Sequence, residues 1–272
     1  MEHTATELQR EDLQEKKAIC SDSCPICKGT GWELFIDENG RDVMRECSNG
    51  CRSKILHERT LRFADIPEAF RDVRLDNFRK EVYREPESRE KIVDVAEAVR
   101  YWLRGFSEFR KAGVGLYFYS ATKGSGKTRL MVSIGNELME KYGVRVKFAT
   151  SLQILDEIRR TWDGARKEQT ESRLLNSLIT TEILMIDDFG VEQEKGWVNE
   201  KFYSIINGRY IGRKVTLFTS NQRLDDLHYD SRIVSRIQER VFQIPFPEES
   251  VRKNIAEQLR KQLSNGITEE RR

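Results

Sequence analysis

Residues 121–128 read Ala-Thr-Lys-Gly-Ser-Gly-Lys-Thr, and no other stretch restricts the fold of this chain as tightly. The run directly follows an apolar segment at 116–119 and opens an amphipathic one through Leu130, Ile134 and Leu138, which places it between a strand and a helix. In a G-x-x-x-x-G-K-[ST] loop, glycines let consecutive backbone N–H groups curl around phosphates while the helix N-terminus adds its positive end. Ala121, Thr122, Lys123, Gly124, Ser125, Gly126, Lys127 and Thr128 are therefore expected to bind ATP. Lys127 reaches the β- and γ-phosphates and Thr128 ligates Mg²⁺. Ala121 replaces the first glycine of the pattern, and Ser120 lengthens the turn. A strained backbone at Ala121 costs on the order of 1 kcal/mol, small against the contacts to a triphosphate. The bland alternative, a glycine-bearing turn with an incidental Lys-Thr, is disfavoured by the strand, loop and helix in order.

Four further apolar runs, at 146–149, 183–186, 215–219 and 241–244, are separated by amphipathic segments of helix length. Continuous rather than alternating apolar strands are expected when helices cover both sheet faces, so the pattern predicts a five-stranded parallel sheet in a three-layer α/β/α domain. Upstream, Ile92, Val95, Val99 and Leu103 step at helical spacing toward Phe106. The final segment, 248–262, reads as one helix through Val251, Ile255 and Leu259, which leaves little chain for a C-terminal lid.

The run at 183–186 ends in Asp187 and Asp188. A carboxylate at the end of a neighbouring strand can hold the Mg²⁺ water shell, the role expected of Asp187, with Asp188 orienting or deprotonating the attacking water. A strand that merely exits into an acidic turn is the alternative. Asn221 follows the 215–219 run and is placed to sense the γ-phosphate, although an Asn after a strand also suits a plain turn. Arg232 and Arg236 lie four apart on one helical face. Such a face is usually solvated, but a guanidinium inserted into a neighbouring subunit's site stabilises the transition state by roughly 10³–10⁵ in rate.

Together these residues resemble the DnaC/DnaI-type helicase loaders of the AAA+ superfamily, with the IstB-type transposition helpers as close relatives. The resemblance runs from Ile66-Pro67-Glu68-Ala69-Phe70 to the last helix and is most specific in Met185-Ile186-Asp187-Asp188-Phe189-Gly190 and the segment 196–210. It implies Lys127 and Thr128 as Walker A, Asp187 and Asp188 as Walker B, Asn221 as sensor 1, Arg236 as a trans-acting arginine finger with Arg232 beside it, and Arg252 near sensor 2. It also implies a P-loop ATPase that associates with itself, acts on a hexameric replicative helicase and contacts single-stranded DNA near Arg159, Arg160, Trp162, Arg166 and Lys167. The expected division is 1–58 zinc-binding adaptor, 59–112 linker and leading helix, 113–264 ATPase domain and 265–272 flexible tail.

All five cysteines lie within the first 51 residues, an odd number that favours metal ligation over disulfides in a chain without an apolar signal core. Cys24-Pro-Ile-Cys27 and Cys47-Ser-Asn-Gly-Cys51 form the two tight turns that tetrahedral zinc needs, with Cys20 spare. Two complete pairs leave no open position for catalysis, so the zinc is structural. Trp32, Leu34, Phe35 and Ile36 between them are expected to form a miniature core. The resemblance implies that the module docks on the helicase; Trp32 and Phe35 stacking on bases is the competing reading.

Composition limits the rest. Hydrophobic residues make up 38% and charged residues 34%, no run approaches the ~18 apolar residues of a membrane helix, and a cytoplasmic location is expected. A net charge of +2, from 47 basic and 45 acidic residues, confines any DNA contact to a local patch. The alternatives to a loader are a transposition helper, a zinc-containing DNA-binding ATP switch, and a small-molecule kinase, which the missing lid disfavours.

Overall fold

The computed structural model describes residues 24–28, 30–38, 40–51, 64–162, 167–192 and 196–270, with the side chains of 167–170 and 265–270 excepted. Cys20 and Arg166 lie outside the described residues, as does the side chain of Lys167. The chain divides into two compact units, Met1–Phe63 and Ala64–Arg272.

In the first unit β1 (Trp32–Ile36) and β2 (Asp42–Glu46) pair antiparallel, with Leu34 opposite Met44 and Phe35 opposite Val43. The miniature core expected from the apolar residues does not form. Leu34 is 68% exposed and Ile36 64%, and the buried cluster is instead the four thiols of Cys24, Cys27, Cys47 and Cys51. Among the described residues no element covers either face of this hairpin, so its apolar side chains remain in water.

The second unit holds α1 (Pro86–Arg104), α2 (Phe106–Ala112), β3 (Gly115–Tyr119), α3 (Lys127–Tyr142), β4 (Val146–Thr150), α4 (Ser151–Arg160), α5 (Lys167–Thr180), β5 (Ile183–Asp187), α6 (Gly196–Ile211), β6 (Val215–Ser220), α7 (Ser231–Arg240), β7 (Val241–Pro245) and α8 (Val251–Glu270). The five strands form one parallel sheet in the order β4-β5-β6-β3-β7. This is the α/β/α architecture that the unbroken apolar runs predict.

Leu155, Leu178, Phe202, Ile205 and Ile237 of α4 to α7 pack on one face against Tyr117, Leu184, Ile186 and Phe218. On the other face α3 runs against β5, where Gly135 lies against the Met185 thioether. In α1 the buried apolar positions are Ile92, Val95, Val99 and Trp102; Leu103 is only half-buried, and the Trp102 indole N–H donates to Val114 O at 3.0 Å. The last helix runs to Glu270 rather than stopping at 262, because no proline interrupts it and Gly266 alone costs only about 1 kcal/mol.

Arg209 on α6 is 1% exposed and faces no carboxylate among the described residues. Its guanidinium donates to Leu178 O (2.6 Å), Thr181 O (2.8 Å), Val215 O (2.5 Å) and the Thr216 hydroxyl (2.9 Å), satisfying carbonyls at the end of α5 and the start of β6. Burial lowers its pKa to about 9, so the carbonyl cage still holds it charged at neutral pH.

Candidate functional site

Ligands bind outside the carboxyl ends of the strands in open parallel sheets, at the point where strand order reverses. Here β3, β5 and β6 deliver Ser120, Asp187 and Asn221 to one edge, and the loop 121–126 leads into α3 beside them. A cavity of about 510 Å³ opens there, lined by Lys123, Gly124, Ser125, Gly126, Lys127, Thr128, Asp187, Asp188, Asn221 and Arg252. Ten of the residues expected at a nucleotide site therefore share one cavity. Phe70, Val251 and Ile255 supply an apolar wall that the motifs did not reveal.

The loop is shaped by contacts remote in sequence. Gly126 caps α3 with a φ of +106°, and a Cβ there would lie 2.9 Å from the Tyr83 hydroxyl, so only glycine fits without strain. Tyr83 itself donates to Ser125 O at 2.6 Å, and burial raises its phenol pKa well above the usual value.

Ala121 does not take the strained conformation expected of it; its φ is not positive. Its N–H donates to Glu248 Oε1 at 2.9 Å, the Thr122 N–H to Oε2 at 2.8 Å, and the Ser120 hydroxyl to Oε2 at 3.0 Å. The Glu248 carboxylate thus organises the turn that a first glycine would otherwise allow.

Lys127 is folded into its own loop, 3.1 Å from Ser120 O, 3.2 Å from Thr122 O and 3.2 Å from Asn221 Oδ1. Burial lowers its pKa, partly offset by Asp188, Glu248 and Asp187. Asp187 is buried, which raises its pKa, and one of its oxygens accepts from both Thr128 Oγ1 (2.8 Å) and Thr219 Oγ1 (2.5 Å). A hydroxyl and a carboxylate this close are the hard oxygen donors that Mg²⁺ takes, so the residues fit that ion.

Thr219 also accepts the Asp188 N–H at 3.0 Å. Asp188 has a φ of +52°, a left-handed conformation that aspartate tolerates better than most residues and that marks many functional sites. Behind it, the Ser151 hydroxyl lies 2.9 Å from Asp188 O and 2.7 Å from Glu192 Oε2, and burial raises the Glu192 pKa.

At the other side of the P-loop, Arg252 packs its side chain at Gly124. Glu249 accepts the Arg84 and Glu85 N–H groups at 2.8 and 3.1 Å, and Arg84 pairs with Glu257 at 2.6 Å, which anchors α8 to residues 83–85. Arg236 is not in the cavity. It lies on α7, 2.9 Å from Asn207 Oδ1, with Arg232 one turn earlier held by Asp230 at 2.8 Å. Arg159 and Arg160 are each paired with an acid one turn back, Asp156 at 3.3 Å and Glu157 at 2.7 Å.

The four cysteine sulfurs of the hairpin lie within 4.8 Å of one another, with Cys24 and Cys47 at 3.9 Å. Sulfurs at tetrahedral corners about 2.3 Å from zinc stand roughly 3.8 Å apart, so the set fits the ion. The Cys27 backbone N–H lowers the Cys24 thiol to about 6, toward the thiolate that binds metal.

A phosphate loop after β3, between β6 and the edge strand β7, faced by paired carboxylates at the end of β5, is the arrangement of AAA+ P-loop ATPases. Residues 107–243 match the family model described as the bacterial DnaA ATPase domain, and the chain belongs to this family.

Within it, the chain resembles the DnaC/DnaI group, as the motifs imply. The phage-like element PBSX protein XkdC of Bacillus subtilis (strain 168) is 28% identical over 79% of this chain and 78% of its own length. The replicative helicase loader DnaI of the same organism is 32% identical over 47% of this chain, a match that spans 39% of DnaI. A crystal structure of the DnaC helicase loader superposes with a TM-score of 0.53 at 23% identity, covering 66% of this chain and all of that one, and so shares the fold. No described helix is long and apolar enough to cross a membrane.

Proposed function

We propose that this chain is an ATP-dependent helicase loader of DNA replication, which binds a hexameric replicative helicase and single-stranded DNA and couples ATP hydrolysis to loading and release. The observation that carries the ATPase reading is the single cavity in which Lys127, Thr128, Asp187, Asp188 and Asn221 meet. The loader reading adds the names of its DnaI and DnaC relatives.

ATP enters with its base against Phe70, Val251 and Ile255 and its phosphates along the N–H groups of 123–128. Lys127 exchanges Ser120 O and Thr122 O for phosphate oxygens. Thr128 and Asp187 would hold magnesium, which would supply neutralisation of the phosphate charge. Asp188 orients the attacking water and takes its proton, and Asn221, already tied to Lys127, registers whether the γ-phosphate is present. Arg236 reaches the nucleotide of a second copy, and Arg252 contacts the phosphates from α8.

The hairpin, held by structural zinc on Cys24, Cys27, Cys47 and Cys51, docks on the helicase. The face carrying Leu34, Ile36 and Met44 also carries Asp42 and Glu46, so it offers apolar surface to a protein and repels phosphate. Single-stranded DNA follows the end of α4, where Trp162 packs edge-on to Trp197 at 5.1 Å beneath Arg159. Arg159→Ala with Arg160→Ala should weaken DNA binding at low salt; unchanged affinity removes this surface.

Affinity capture with ATP-loaded Asp188→Asn protein tests the main proposal. Recovery of the host's hexameric helicase, with release after hydrolysis by the wild type, supports it. A transposase in its place favours the transposition-helper alternative, and absence of any helicase, with or without ATP, overturns the loader reading.

A further inference from the structure

Arg236 is one of three arginines, with Arg232 and Arg240, that α7 presents at successive turns, and like charges at this spacing repel. The facing side of α6 presents Tyr203, Asn207 and Tyr210, spaced so that they too share a face. The two rows interleave. The Arg232 and Arg236 guanidinium carbons sit 4.8 and 5.1 Å from the Tyr203 ring centre, and those of Arg236 and Arg240 sit 5.8 and 4.8 Å from that of Tyr210. Each cation is thereby separated from the next by an electron-rich ring face.

The outer two arginines are neutralised. Arg232 pairs with Asp230, whose carboxyl it holds down to about 2, and Arg240 pairs with Glu239 at 3.3 Å and donates to Ala112 O. Arg236 forms no salt bridge among the described residues, although its charge adds to that of Arg232 in lowering the Asp230 carboxyl. Its bonds go to neutral acceptors: Nε to Asn207 Oδ1 at 2.9 Å, a terminal nitrogen to Arg232 O at 2.9 Å, and the other to the Tyr203 hydroxyl at 3.4 Å. This guanidinium is fixed in direction while its charge stays available to an anion. An unrestrained arginine loses rotamer entropy when it is immobilised, and the platform removes much of that cost in advance.

We propose that Tyr203, Asn207 and Tyr210 are positioning residues for Arg236, aiming it at the triphosphate held by a second copy of this chain. The inference rests on the reading of Arg236 as trans-acting. It adds that the aim is set by α6, which directly follows the Walker B strand, so the platform that aims a finger and the carboxylates of its own subunit are carried on consecutive elements.

Subunit mixing of the zinc-replete full chain tests it. Asp188→Asn subunits keep their finger and lose their site, Arg236→Ala subunits keep their site and lose their finger, and together they should recover ATPase activity that neither has alone. Asn207→Ala or Tyr203→Leu placed in the Asp188→Asn subunit should lower the recovered rate on the order of tenfold, because misaligned catalytic groups lose rate steeply. The same change in the Arg236→Ala subunit should have no effect, and nucleotide affinity should hold throughout. Tyr203→Phe, which keeps the ring, should restore most of the rate lost in Tyr203→Leu. A loss that appears in either subunit alike, or in neither, overturns the positioning role. No recovery in the parent mixture overturns the trans-acting reading of Arg236 and this inference with it.

Discussion

The cysteine hairpin and the α/β unit solve the problem of small apolar interiors in opposite ways. In the hairpin the buried side chains among the described residues are four thiols and Glu33, while Leu34, Ile36 and Met44 face water. In the larger unit Tyr117, Phe118, Phe189, Phe202 and Phe218 fill the sheet faces and are all but inaccessible. On the proposed zinc reading, one region is held by coordination bonds whose strength depends on a ligand in solution, and the other by burial that depends on sequence alone.

The contrast can be broken most easily where it is largest. Removing zinc with a chelator, or Cys47→Ala, should unfold the hairpin outright, because binding worth about 10–16 kcal/mol in comparable modules is its folding free energy. The thermal transition of the α/β unit should stay where it is; hydrogen exchange reads both regions in one experiment, and a hairpin still protected after complete zinc loss would end the distinction.

Next in size is Arg209→Met, which strips the buried carbonyls of Leu178, Thr181 and Val215 of a donor. A loss of roughly 2–4 kcal/mol is expected, seen as a lowered denaturation midpoint of the α/β unit with zinc content unchanged. Tyr83→Phe removes one hydrogen bond to the phosphate loop and should cost about 1 kcal/mol in stability, with weaker nucleotide uptake by calorimetry and an unaltered hairpin.

The smallest effect sharpens the comparison through pH. Burial raises the Glu192 and Asp187 pKa values, so the stability they contribute is full at low pH and is lost as pH rises through their folded values. Glu192→Gln should therefore gain on the wild type as pH increases, in denaturation series at several pH values. Zinc retention runs the other way, since acid protonates the thiolates. A Glu192→Gln difference that is flat with pH would show that folding leaves the carboxyl pKa unchanged.

The sheet was legible because unbroken apolar runs such as 183–186 have few homes other than a strand covered on both sides. Local spacing likewise disclosed the phosphate loop and the two cysteine pairs, since each is a short motif whose members act together. Residues that meet the site from far along the chain left no such signal. Glu248, Tyr83, Phe70 and Ile255 reach the cavity or its loop only after the sheet has brought them there, and each reads locally as an ordinary linker or helix residue. Thr219 shared an apolar run with its neighbours, and nothing in that run told its buried hydroxyl from a strand-forming side chain. The apolar residues of β1 misled for the opposite reason: hydrophobicity predicts burial only where a second layer exists to provide it.

Residues 83–85 grip the P-loop through the Tyr83 hydroxyl and α8 through the Arg84 guanidinium, which reaches Asn254 O and Glu257. They form a strut between the two sides of the nucleotide cavity that bypasses the sheet. Peeling α8 from the site would pull on Ser125 through this strut, so the last helix and the grip of the phosphate loop are mechanically linked.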